Sequence, residues 1–227
     1  MKAVILAAGK GIKLRSKGGE IPACMVKMGR TTIIEHNFSQ LPNKITEVIV
    51  VVGHLKSKIK DHIGKNFFER PVRFIEQKER MGTAHAISMC KDVLASEKFM
   101  VFMGDNLYLK SDMERCLKHD RAVLVKRLEA SESFGIVEER NGFMADAQER
   151  PRSKAGSYID CGLYVLDRAI FEFPMVQSSD GDYRLLQQIA AMSEGYKVKV
   201  ERASLWMPTG MLQDIKNSDK HIKKIYG

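Results

Sequence analysis

The first half of this chain repeats one pattern, and that pattern constrains the fold more than any other feature. Short apolar runs rich in β-branched residues, at 3–8, 47–53, 72–76 and 98–103, alternate with stretches of helical length. The runs at 3–8 and 47–53 are too short for core helices and too evenly apolar to keep one face in water, and they read as strands buried on both sides; 72–76 and 98–103 read as a third and a fourth strand. Between them, residues 32–41, 56–67 and 82–95 read as helices, the second with Ile59 and Ile63 on one side. This βαβα rhythm predicts an α/β fold, a three-layer αβα sandwich around a mainly parallel, doubly wound sheet. A length of 227 residues suits one domain with a substantial core.

The second half has a different rhythm. Residues 122–127, 135–139, 158–166 and 196–202 read as strands, and helices are expected only at 182–194 and 212–225. Connections are shorter, so mixed or antiparallel strands are expected to extend the first sheet. The polar stretch 148–156 (QERPRSKAG) reads as a loop able to close over a ligand. Met89, Met100, Met103 and Cys161 read as core.

Composition narrows the function. No apolar run approaches the ~20 residues of a membrane span, and the apolar start is too short for a secretion signal. Cys24, Cys90, Cys116 and Cys161 are scattered, with no CxxC pair. Neither a disulfide framework nor a zinc site is implied, and a reducing cytoplasm is expected. The net charge of +9 suits an anionic partner. The basic residues are dispersed and form no aromatic-flanked patch, which argues for phosphorylated small molecules over nucleic acid.

The phosphate reading has a specific location. Leu6-Ala7-Ala8-Gly9-Lys10-Gly11-Ile12-Lys13-Leu14-Arg15 leaves the first strand directly. Small residues let the backbone approach a ligand, and glycine allows successive amides to face an anion. Lys10, Lys13 and Arg15 add three cations. A dinucleotide fingerprint fails because its third glycine position is Leu14, and a Walker loop is absent. A tight strand-to-helix turn is the plain structural alternative.

LAAGKGIKLR resembles the LAAGxGxRL signature of the nucleoside-diphosphate-sugar pyrophosphorylases, the sugar-1-phosphate nucleotidyltransferases. Further segments are similar to that family in the same order: residues 25–36; Glu76-Gln77 with Gly82-Thr83-Ala84-His85-Ala86; residues 101–106 ending in Gly104-Asp105-Asn106; residues 134–138; Glu149-Arg150-Pro151; Asp160-Cys161-Gly162; and Trp206 with Gly210. The resemblance implies attack of a sugar 1-phosphate on the α-phosphate of a nucleoside triphosphate, releasing pyrophosphate. It implies that Leu6, Ala7, Ala8, Gly9 and Gly11, with Lys13 and Arg15, hold the triphosphate. Gln77 and Gly82 would read the nucleotide's base, Thr83 would bind nucleotide beside them, and Asp105 would carry Mg²⁺. Gly135, Glu149 and Asp160 would bind sugar hydroxyls, and Arg150 the sugar phosphate. The family's layout assigns about the first 110 residues of a single domain, 1–227, to nucleotide, and 111–227 to sugar and to homo-oligomer contacts. The length is read as lacking the C-terminal β-helix that some relatives carry. The favoured substrates are dTTP or UTP with a hexose 1-phosphate such as glucose 1-phosphate. A cytidylyltransferase acting on a polyol or choline phosphate is the alternative within the same chemistry.

The residues themselves leave some roles open. Asp105 at a strand end could cap a following helix, and Gln77 or Glu149 could be solvated. His85 reads as packing or polar support. Three positions depart from the family's pattern. Ala23 stands where the family has a phosphate-contacting lysine, Pro208 where it has a second metal carboxylate, and Lys13 where it has arginine. Lys17, Lys27 and Asp214 are candidates to compensate. These departures raise a second function, a nucleotide or sugar-nucleotide binder that turns over poorly.

Overall fold

Alternate residues of the first apolar run enter two different cores, and this divides the molecule into layers. Ala3, Ile5 and Ala7 pack with Ile34, Phe38, Ile59 and Ile63, whereas Val4, Leu6 and Ala8 pack with Ala86, Ile87 and Leu94. A strand with two apolar faces therefore lies between two helical layers. The computed structural model describes residues 1–9, 21–94, 98–128, 134–148 and 155–208. Its first-half elements are β1 (Lys2–Ala7), β2 (Lys27–Met28), β3 (Thr31–Thr32), α1 (Ile33–Gln40), β4 (Glu47–Val52), α2 (Lys56–Ile63), β5 (Asn66–Phe67), β6 (Arg70–Glu76), α3 (Thr83–Ser88), α4 (Lys91–Leu94), β7 (Phe99–Met103) and β8 (Asn106–Tyr108). There follow α5 (Lys110–Cys116), β9 (Ala122–Arg127), β10 (Ile136–Arg140), β11 (Phe143–Gln148), β12 (Tyr158–Leu166), α6 (Leu185–Ser193), β13 (Lys199–Arg202) and β14 (Trp206–Pro208).

The main sheet has the strand order β10-β11-β13-β9-β12-β7-β1-β4-β6-β5. β1 is parallel to both β4 and β7, with Ile5 opposite Val50 and Phe102, and β6 continues the parallel set beyond β4. β12 then runs antiparallel to β7 and β9. β10 pairs with β11 and also with β12. Strands β9, β13, β11, β10 and β12 thus close on themselves, which removes a free sheet edge on that side. Among the described residues no helix is long and apolar enough to cross a membrane.

The αβα layering and the mixed second half agree with the sequence reading, and several boundaries are corrected. The helix expected over 56–67 stops at Ile63. Gly64, at φ 68°, donates its N–H to Lys60 O and turns the chain into the β5–β6 hairpin. The helix expected over 82–95 is two helices with a turn at Met89 and Cys90, whose N–H groups bond His85 O and Ile87 O. α6 begins at Leu185 rather than 182, because Tyr183 is engaged elsewhere. Its N–H bonds Met81 O and its carbonyl accepts from Ala84 N–H, at 2.8 and 2.9 Å. Tyr196 still bonds back to Met192, so β13 starts only at Lys199. Helix α5 and strands β8, β11 and β14 were not expected. Met100 and Cys161 are core as expected, whereas Met89 is exposed. The helix expected over 212–225 lies outside the described residues.

Candidate active site

Four parallel strands deliver their C-terminal ends to one rim. Order alone makes this the natural site. β1 lies between β4 and β7, so connections leave it in opposite directions and open a crevice at the strand ends. Two glycines allow the ends to converge. A Cβ on Gly53, just past β4, would meet Ala8 O at 2.9 Å and Gln77 O at 3.2 Å. One on Gly104, just past β7, would meet Ile5 Cγ2 at 3.0 Å and Leu6 O at 3.1 Å. Gly104 N–H also bonds Leu6 O, and Gln77 N–H bonds Val52 O, so both exits stay on the sheet ladder.

The result is a cleft of about 440 Å³. Leu6, Ala7, Ala8 and Gly9 form one wall, Gln77, Gly82 and Thr83 another, and Asp105 stands at the end of β7. Eight residues singled out from the sequence as nucleotide- or metal-binding are therefore brought together. Gly11, Lys13 and Arg15, expected to complete the phosphate cradle, lie outside the described residues, as do Glu149 and Arg150. The reading of Asp105 as a helix cap fails, because residues 106–108 form a strand. Gln77 is buried, not solvated. Its Nε2 donates to Gly82 O at 3.0 Å and lies 3.1 Å from His85 Nδ1. With that amide nitrogen held by a carbonyl, its orientation is fixed, and His85 is the polar support expected of it. Gly82, at φ 95°, takes a backbone conformation that side chains avoid, and an added Cβ would fall 2.3 Å from Tyr183 O. The Thr83 hydroxyl accepts from Leu185 N–H at 2.8 Å, fastening α6 to the same wall.

Sequence reasoning missed several lining residues. Arg80, Asp182, Cys24, Ala86 and Met103 also face the cleft, and Met103 is thereby corrected from core to wall. Arg80 lies within a segment already noted. Asp182 has no local signal, because it arrives only through the pairing of Tyr183 with residues 81–84. Burial, and then the Asp105 charge, push the Cys24 thiol up to about 12, so it stands beside Asp105 as a neutral, unreactive group.

On the other side of the sheet's centre, Gly135 and Asp160 are joined by Asp160 N–H to Gly135 O at 2.8 Å. They do not line the cleft. The Asp160 carboxylate accepts from Gly162 N–H at 2.8 Å and from the Tyr164 hydroxyl. These bonds hold it in a bulge of β12, where the register shifts between Asp160 and Tyr164.

Two of the three family departures lie near Asp105, and the third, Lys13, lies outside the described residues. Ala23 lines the same cleft, and Pro208 pairs opposite Asn106, the residue after Asp105. Lys27 is exposed on β2 and does not line the cleft; Lys17 and Asp214 lie outside the described residues. Among the described residues no group of three or more His, Cys, Asp or Glu is placed to share a metal ion. Mg²⁺ characteristically binds through one or two carboxylates plus substrate phosphates. A single strand-end carboxylate, Asp105, fits that role and no preformed cage.

Comparison with known proteins gives the family and the fold. The nucleotidyl transferase family matches residues 2–224. The bifunctional protein GlmU of Methanocaldococcus jannaschii is 31% identical over 228 residues, covering 98% of this chain and 54% of that protein. The UTP–glucose-1-phosphate uridylyltransferase AglF of Haloferax volcanii is 32% identical over 200 residues, covering 83% of this chain and 82% of the relative. The chain thus spans about half the length of the GlmU relatives, 54% and 57% for the first two. A UDP-glucose pyrophosphorylase from Acinetobacter baumanii superposes with a TM-score of 0.83 at 20% identity, over 97% of this chain and 92% of that one. The inositol-1-phosphate CTP transferase from T. maritima gives 0.76 at 20% identity, over 98% and 96%. At that identity the superpositions speak for the Rossmann-like fold, and the sequence matches speak for descent: the chain belongs to the nucleotidyl transferase family, among the sugar-1-phosphate nucleotidyltransferases.

Proposed function

We propose that the protein transfers a nucleoside monophosphate from a nucleoside triphosphate to a hexose 1-phosphate. A phosphate oxygen of the sugar phosphate attacks the α-phosphorus, the α–β anhydride bond breaks, and pyrophosphate leaves. The observation that carries this reading is the convergence of Leu6–Gly9, Gln77, Gly82 and Asp105 on one cleft at the sheet's switch point. The small residues of the first wall let phosphates approach the backbone, and the buried Gln77 amide offers a fixed partner to a base. Gly135 and Asp160 are the described residues on the proposed sugar side. Such chemistry depends on holding two anions in line and offsetting their charge. When bound, Mg²⁺ would supply part of that charge, held by Asp105 and the phosphates. The names of the relatives favour UTP or dTTP with glucose 1-phosphate. The four buried, unpaired cysteines suit work in a reducing cytoplasm.

Pyrophosphate release across a panel of triphosphates and sugar phosphates with Mg²⁺ tests this. Turnover well above that of Asp105→Ala is expected, and equal rates would refute it. A second reading, binding without turnover, is favoured by the positions of Ala23 and Pro208 around Asp105. It expects nucleotide affinity with no pyrophosphate from the wild type, and pyrophosphate from the Ala23→Lys, Pro208→Asp double variant.

A further inference from the structure

Behind the cleft, a chain of buried polar side chains runs from the Asp105 turn to the bulge of β12. It begins at Asn37 on α1, which is fully buried. The Asn37 Nδ2 donates to Gly104 O at 3.3 Å and to Asn106 O at 2.9 Å, the carbonyls on either side of Asp105. Asn106, itself buried, donates from its own Nδ2 to the Tyr108 hydroxyl and to Cys161 O, both at 3.3 Å. Tyr108 donates to Cys161 O at 2.8 Å, with Gly162 O at 3.2 Å. Gly162 N–H then reaches Asp160, and Asp160 N–H reaches Gly135.

The packing leaves this path little slack. Gly162 has φ 70°, and a Cβ there would lie 2.6 Å from Met103 Cγ and 3.6 Å from the Tyr108 hydroxyl. The Tyr108 ring is locked edge-on against Phe102 of β7, with centroids 5.7 Å apart. Burial, chiefly, holds the Tyr108 phenol far above its ordinary pKa, so it stays a neutral donor. Isolated apolar substitutes could fill the same volume. They could not set the heights of the 104, 106, 161 and 162 carbonyls relative to one another, because only directional bonds do that.

We infer that Asn37, Asn106 and Tyr108 are positioning residues that tie the nucleotide side of the site to the sugar side, fixing the offset between Asp105 and the Gly135–Asp160 pair. None of them has to touch a substrate. The inference rests on the proposed function for its catalytic consequence, but the tie itself can be read without any ligand.

Two variants test it, each perturbing one end: Asn37→Ala touches the Asp105 turn directly, and Tyr108→Phe touches the bulge directly while keeping the ring. Hydrogen exchange is followed in segments covering 103–105, which stops short of the Asn106 side chain that bonds the Tyr108 hydroxyl, and 159–164. A tie is reciprocal, so each variant is expected to speed exchange about tenfold in the segment it does not touch, the scale of one lost buried hydrogen bond. In steady-state assays, Tyr108→Phe is expected to lower kcat about tenfold while leaving KM for the triphosphate within about twofold, since misalignment acts on the reacting geometry. A merely structural role would lower Tm and leave kcat alone at temperatures where the variant is folded. Faster exchange confined to the segment each side chain touches would overturn the inference, as would an unchanged kcat in Tyr108→Phe beside an active wild type. If exchange spreads across both segments while the wild type itself releases no pyrophosphate, the tie stands and the proposed reaction fails.

Discussion

The two halves of the molecule build their sites in different ways. In the first half, the site is a consequence of topology. Parallel strands β1, β4, β6 and β7 end at one rim, and Gly53 and Gly104 let those ends close on each other. In the second half, Asp160 and Gly135 meet because β12 bulges and β10 crosses to pair with it. One half obtains its geometry from backbone ladders, the other from an irregularity pinned by side chains. The first arrangement tolerates sequence change at the rim so long as residues there remain small. The second depends on particular polar partners.

The largest effect expected is at the strand-end carboxylate. Asp105→Ala should lower kcat about 100-fold or more, the scale of losing a main electrostatic contact in a water-poor site, with pyrophosphate release as the measurement. A smaller loss would mean that the first half does not carry the charge chemistry. Next is Gly82→Ala, which forces a side chain into a φ of 95° with its Cβ 2.3 Å from Tyr183 O. A destabilisation of about 2 kcal/mol or more is expected in denaturant melts. Retained stability would show that the 177–184 segment is free to move away from the Gln77–Gly82 wall. Ala23→Lys with Pro208→Asp should raise turnover about tenfold if a phosphate contact and a carboxylate are what the cleft lacks; no gain would show that these positions have ceased to limit the reaction.

The smallest effect concerns the capping box at the start of α1. The Thr32 hydroxyl accepts from Glu35 N–H and the Glu35 carboxylate bonds back to Thr32, a capping box. Burial opposes ionisation of Glu35, but the Thr32 bonds and the His62 and His36 charges outweigh it and hold its pKa below the ordinary value. A lowered carboxylate stabilises the fold above its unfolded pKa, and that contribution disappears as pH falls through the folded value. Thr32→Ala should therefore cost about 1 kcal/mol near neutrality and show a shallower loss on acidification, seen in melts run from neutral to acidic pH.

The same contrast explains what the sequence made legible. Runs such as EVIVVV read as doubly buried strands, so β1, β4 and β7 followed from local composition, while β6, with Pro71 and Arg73 exposed, followed from the alternation of strand-like and helix-like segments. Gln77, Gly82 and Asp105 were found because the segments that carry them, EQ, GTAHA and GDN, resemble the family's in the same order. Asp182 was not, because it reaches the cleft through a tertiary pairing of Tyr183 that leaves no periodic trace. Strand β11 (FMADAQ) went unread because half its residues face water and the run is short. The Asn37–Asn106–Tyr108 path was invisible for a deeper reason. Its members belong to α1 and β8, and nothing in the sequence says that one asparagine will grip the backbone on both sides of an aspartate 68 positions away (105 − 37).

Gly9 offers the most direct test of the central claim, that phosphates lie against the exit of β1. Among the described residues a Cβ added there meets nothing within 4 Å, and the residue is exposed, so Gly9→Glu should fold as the wild type does while placing a negative charge in the proposed phosphate path. Calorimetric titration with UTP and dTTP in the presence of Mg²⁺ should show saturable binding to the wild type and none to Gly9→Glu, with matching melting temperatures. Equal affinity in the two proteins would place the phosphates elsewhere and contradict the account.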